Sequence, residues 1–147
     1  MQSTLLTHGS LHPFPKSTVV KAGRLKALYE NGFLRYISHG DTEIIRMINL
    51  TVRDHNWHTM VPEITSEKIE STADSFVIEY EARCREGVVD FQWKCLIRGN
   101  ADSTITFNAE GKALSTFRRN RVGMTVLHPI ESCAGKDCMI THPDGTT

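Results

Sequence analysis

"SFVIEYEARC", Ser75 to Cys84, and "VVDFQWKCLIRG", Val88 to Gly99, decide the fold class. In the first, Phe76, Ile78, Tyr80 and Ala82 alternate with Val77, Glu79, Glu81 and Arg83. In the second, Val89, Phe91, Trp93, Cys95 and Ile97 share one face, and Asp90, Gln92, Lys94, Leu96 and Arg98 share the other. Side chains repeating every second residue belong to a half-buried strand, because a helix would repeat near 3.6.

Working outward, the same style recurs. "STITFNAEGKALSTFRRNR" offers Ile105 and Phe107, a turn near Glu110-Gly111, then Ala113 to Phe117. Upstream, Leu25, Ala27 and Tyr29 alternate with Lys26, Leu28 and Glu30. Asn31-Gly32 is a strong two-residue hairpin signal. After it, Phe33, Arg35 and Ile37 oppose Leu34, Tyr36 and Ser38. Further breaks fall at Ala22-Gly23 and His39-Gly40-Asp41. "GDTEIIRMINL" could carry a helical stripe, but it runs into β-branched "LTVR" among hairpins, so a strand is favoured. "PEITSEKIES" reads as a strand or a connecting turn. The sum is an all-β antiparallel β-sandwich of about ten short strands. An arm or loop over residues 1–16, rich in proline and small polar residues, precedes a sandwich over residues 17–147.

Composition removes several function classes. The 147 residues suit one domain. Seventeen basic residues balance seventeen acidic ones, so there is no electrostatic footprint for nucleic acid. No apolar run approaches the roughly 20 residues of a bilayer span, so no membrane partner is expected. "MQSTLLTHGS" lacks the features of a secretory signal, which makes the cytoplasm the default compartment. Cys84 and Cys95 read as small core residues. Cys133 and Cys138 are spaced poorly for zinc, so neither metal nor other cofactor is expected, and a reducing compartment argues against disulfides.

Two stretches could carry chemistry. "RVGMTVLHPI" ends a strand on His128, and "CMITHPDGTT" is read as a strand, Met139 to His142, ending in turn chemistry at Pro143-Asp144-Gly145. A residue before proline is pushed to extended geometry, so each imidazole leaves its strand in a defined direction. If the two strands are neighbours, His128 and His142 open on one rim with Asp144 close by. Asn120 and Arg121 precede the His128 strand, and arginine forks grip carboxylate or hydroxyl oxygens. The plainer reading has strand-end histidines bonded to loop carbonyls beside a solvated arginine run. The second stretch, "VRDHNWHTMVPEI", crowds Arg53, Asp54, His55, Asn56, Trp57 and His58. Such a cluster suits sugar recognition, since a ring face packs against C–H groups. Alternatively Arg53 pairs with Asp54 and Trp57 plugs one end of the core. Asn49-Leu50-Thr51 fits a glycosylation acceptor only by chance pattern. The interrupted turn at the C-terminus suggests a fragment of a longer multidomain protein.

Taken together, "LRYISHGDTEIIRMINLTVRDHNWHT", "NRVGMTVLHPIESCAG" and "THPDG" resemble the N-terminal portion of the D-apionate lactonase family. The matching residues are Arg35, Tyr36 and Gly40; Arg53, Asp54, Asn56 and Trp57; Asn120, Arg121, Gly123, Val126, Leu127, His128 and Pro129; and His142, Asp144 and Gly145. The match spans about residues 20–147. The resemblance implies a parent that is a hydrolase, opening D-apionolactone to D-apionate in bacterial apiose breakdown, with a larger C-terminal catalytic domain following this sandwich. It implies a small sugar acid or lactone as ligand and leaves the catalytic residues unassigned; the binding candidates for it are those read above from the residues themselves, Trp57, Asn120, Arg121, His128, His142 and Asp144. The fragment alone is then expected to be inactive. The alternative function is a non-catalytic carbohydrate-binding or interdomain packing module.

Overall fold

The computed structural model describes residues 15–147, so most of the expected N-terminal arm lies outside the described residues. Nine strands follow in order: β1 Ser17–Ala22, β2 Leu25–Glu30, β3 Phe33–His39, β4 Thr42–Asp54, β5 Glu63–Ser71, β6 Phe76–Glu86, β7 Val89–Gly99, β8 Ile105–Ala113 and β9 Arg119–Leu127. One helical turn, α1, Ile130–Cys133, follows β9. All pairings are antiparallel, in a five-stranded sheet ordered β1-β2-β3-β4-β9 and a four-stranded sheet ordered β5-β6-β7-β8. The sandwich reading holds, with nine strands among the described residues. No helix there is long and apolar enough to cross a membrane.

The alternating segments close on each other as their pattern requires. Ile78, Tyr80 and Ala82 of β6 pair in register with Ile97, Cys95 and Trp93 of β7, and all six are buried. Facing them are Val20, Ala27, Tyr29, Leu34 and Val52 from the larger sheet. Burial of a side chain such as Ile78 or Leu34 contributes roughly 1.5–3 kcal/mol each. The sheets are also stitched by hydroxyls. Tyr29 Oη donates to Glu67 Oε1 at 2.6 Å, and Tyr80 Oη donates to the carbonyl of Gly32 at 3.1 Å. Asn31 and Gly32 have φ of 46° and 82°, the left-handed pair of a hairpin turn, so the Asn-Gly signal becomes the turn that Tyr80 holds. Burial drives the phenols of Tyr29 and Tyr80 well above the usual range, with the Glu67 carboxylate adding to it at Tyr29. Burial likewise pushes the Cys84 thiol up to about 11, consistent with Cys84 and Cys95 as inert core residues.

Three expectations need correction. No turn interrupts residues 110–111: β8 is continuous to Ala113, and Gly111 pairs with Trp93. The ring of Phe91 lies where a side chain on Gly111 would stand, so this glycine serves close packing inside a strand. Strict alternation in β3 also fails, since Leu34 and Ile37 are both buried. Tyr36 sits between them at φ 51°, where β3 carries one extra residue against β2, and this bulge moves Ile37 onto the core face. Finally, residues 139–142 form no strand; the segment after α1 is an exposed run ending in a turn. With no neighbouring strand to pair with, its Pro-Asp-Gly chemistry makes a local loop. "EIIRMINLTVR" is a strand, as favoured, and of the two readings left open for "EITSEKIES" the strand is the one formed.

Candidate functional site

At the end of β4 the chain turns back on itself around Asp54. Its Oδ1 accepts the N–H groups of Asn56 at 2.8 Å and His58 at 3.0 Å. The backbone closes the same loop: Asp54 N–H donates to the His58 carbonyl at 3.1 Å, and Trp57 N–H to the Asp54 carbonyl at 3.2 Å. Asp54 therefore satisfies turn amides, and Arg53 does not pair with it. The turn holds Trp57 at φ 69°, a conformation rare for a bulky residue. Its indole is 55% exposed, so it does not plug the core.

Two arginines meet that indole. Arg53 of β4 and Arg121 of β9 are direct cross-strand partners. Their guanidinium carbons lie 5.9 and 5.4 Å from the Trp57 ring centroid. Like charges placed opposite each other across a strand pair destabilise it. Neither arginine has an ion pair among the described residues, and Arg53 Nε is buried without a hydrogen-bond partner. The indole offsets part of the repulsion, since an exposed cation–π contact contributes about 0.5–1 kcal/mol. Two charged forks without a counter-ion suit a carboxylate or a polarised carbonyl oxygen.

The strand register continues this face away from the arginines as Thr51 opposite Gly123 and Asn49 opposite Thr125. Thr125 Oγ1 donates to Thr51 Oγ1 at 3.1 Å, and Asn49 Nδ2 donates to the same oxygen at 3.2 Å. A side chain at Gly123 would meet nothing within 4 Å, so the surface beside Thr51 is open. A groove of about 510 Å³ follows β9, with Thr51, Arg53, Asn120, Arg121 and Thr125 in its lining. Asn49 is only 8% exposed, which removes it as a modification acceptor and makes it a support for the threonine pair.

The candidates read from sequence are thus partly gathered. Trp57 and Arg121 come together with Arg53, and Asn120, Thr51 and Thr125 line the groove beside the arginines. Arg53 was legible only as a charge beside Asp54; its register opposite Arg121 had no local signal. His128 is exposed just beyond β9, ahead of a buried Pro129. His142 lies in the closing turn, where its N–H donates to the Thr146 carbonyl at 2.8 Å and its carbonyl accepts from Gly145 at 2.9 Å. Asp144 Oδ1 accepts the Thr146 N–H at 3.0 Å and its hydroxyl at 2.7 Å, which hold its carboxyl below the usual range. No hydrogen bond or ion pair joins His128 to His142 or Asp144 among the described residues.

The D-apionate lactonase N-terminal domain model matches residues 5–147. The D-apionate lactonase of Brucella anthropi is 34% identical over 143 residues, which is 96% of this chain and 23% of that protein. The chain thus spans under a quarter of the length of the relative it matches. No solved structure matches it. On the family match and the identity together, the chain belongs to the D-apionate lactonase N-terminal domain family.

Proposed function

We propose that this chain is the N-terminal sandwich of a bacterial, cytoplasmic sugar-lactone hydrolase acting on D-apionolactone, followed there by a C-terminal catalytic domain. The observation that carries the ligand part is the pair of facing arginines, Arg53 and Arg121, held against Trp57 without a counter-ion among the described residues. A sugar acid or lactone offers each element a counterpart. The guanidinium forks take the carboxylate or lactone carbonyl, the indole takes a C–H face, and the Thr51 and Thr125 hydroxyls take a sugar hydroxyl. Asn120 borders the same groove. His128, at the far end of β9, with His142 and Asp144 in the following segment, completes the proposed rim. In this reading the domain binds and orients, while water activation and oxyanion stabilisation belong to the catalytic domain.

The test is lactone hydrolysis by the longer protein carrying this domain, beside Arg121→Ala and His128→Ala. A fall in kcat/KM of about tenfold, some 1.4 kcal/mol, with unchanged melting supports the rim. Unchanged turnover in both variants refutes it.

A further inference from the structure

Among the described residues the sandwich has four edge strands, and three are guarded. An open edge presents unpaired backbone N–H and C=O groups, and natural proteins blunt it with short length or charge. β1 is six residues long and carries Lys21. β5 carries Glu63, Glu67, Lys68 and Glu70, and β8 carries Glu110 and Lys112. β9 differs: its last six residues, Val122 to Leu127, hold no charge, no proline and no bulge.

The same stretch leaves apolar surface open. Met124 and Val126 follow Val122 on the core-facing side of β9, opposite Leu50 and Ile48. Val122 packs against the core, yet Met124 is 46% exposed and Val126 43%. The four-stranded sheet therefore covers the start of β9 and not its end. Beside this edge the groove of about 510 Å³ is lined by every residue from Arg119 to Leu127. Nine residues of strand extend about 30 Å, a length matching an extended occupant.

Charge sets the occupant's composition. Arg118 and Arg119 stand exposed at the start of β9 and have no ion pair among the described residues. Asp54, the cross-strand partner of Arg119, spends its Oδ1 on turn amides. We propose that the free edge of β9 receives an extended acidic segment of the C-terminal domain proposed above, added as a tenth strand, and in this the proposal rests on that reading. Its apolar residues would cover Met124 and Val126, and its carboxylates would meet Arg118 and Arg119. Both readings use the groove along β9, but the ligand reading rests on Arg53, Arg121 and Trp57 on the outer face of the sheet, whereas this one rests on the backbone edge of β9 with Met124 and Val126.

The test is fluorescence anisotropy of this chain with a labelled ten-residue peptide alternating glutamate and valine. Saturable binding is expected. It should weaken about tenfold in Met124→Glu, which places a like charge on the edge, and in the double variant Arg118→Glu, Arg119→Glu. Far-UV circular dichroism checks that each variant keeps its sheet content. A peptide alternating lysine and valine should bind at least tenfold more weakly. Equal affinity for the two peptides, or no saturable binding of the acidic one, overturns the proposal. So does a concentration-dependent dimer in sedimentation that Met124→Glu abolishes, because the occupant would then be a second copy.

Discussion

Alkaline unfolding should report directly on the buried side of this sandwich. Of three tyrosines, Tyr29 is 1% exposed and Tyr80 3%, and both phenols are raised, first by burial. Cys84 and Cys95 are buried thiols raised for the same reason. An acid whose pKa is raised on folding stabilises the fold below its unfolded value and loses that contribution as pH climbs past it. The native state then holds protons that the unfolded chain has released, so stability falls with rising pH. Each group contributes a slope of about 1.4 kcal/mol per pH unit. The two thiols act from about pH 8.5, giving up to about 2.7 kcal/mol per unit; with the two phenols above about pH 10 the slope approaches 5.4. A domain of ordinary stability, about 5–15 kcal/mol, would lose most of it within two or three units. The assay is urea unfolding followed by tryptophan fluorescence at several pH values, beside titration of tyrosinate absorbance. Two of the three tyrosines should ionise only with unfolding, in one cooperative step. Ionisation of all three near pH 10 in a chain that still shows native fluorescence would refute the reasoning.

Other predictions are more local. Trp57→Ala should lower urea stability by about 0.5–2 kcal/mol, because the half-exposed indole offsets the repulsion between Arg53 and Arg121. It should also weaken calorimetric binding of gluconate about threefold to tenfold, through loss of ring and cation–π contact. Gly111→Leu should cost about 1–3 kcal/mol by urea midpoint, since Phe91 occupies the space above it. Asp90 accepts both Arg83 Nε at 2.7 Å and Nη2 at 2.6 Å, and this fork lowers its carboxyl below the ordinary value of 3.8. A lowered carboxyl stabilises the fold above its ordinary value and loses that contribution as pH falls below it. The stability advantage of the parent over Asp90→Asn, measured by urea unfolding, should therefore shrink as the pH is taken from about 5 to 2. A constant difference across that range would exclude the fork as its source.

The fold was legible because burial on one face writes itself as period 2, and β6 and β7 keep that period for eleven residues each. Turns were legible where they demand left-handed backbone, as at Asn31-Gly32. The misreadings came from residues whose reason is tertiary. Gly111 looks like a turn until Phe91 is placed above it. Tyr36 looks like an ordinary strand residue until its φ exchanges the faces of β3. Residues 139–142 have strand composition but no neighbour to pair with. The candidate site divides along the same line. Trp57 and Arg121 stood out as residue types, but 64 positions separate them, and only the β4–β9 register brings them together. That register also opposes Arg53 to Arg121, and the opposition is what makes the cluster more than a solvated basic patch. An arginine alone in water needs no anion. Two fixed face to face on adjacent strands, with one Nε already desolvated, gain from any carboxylate that enters between them. The functional reading therefore depends on strand pairing as much as on residue identity. Disturbing the β4–β9 register should abolish it even with Trp57, Arg53 and Arg121 all retained.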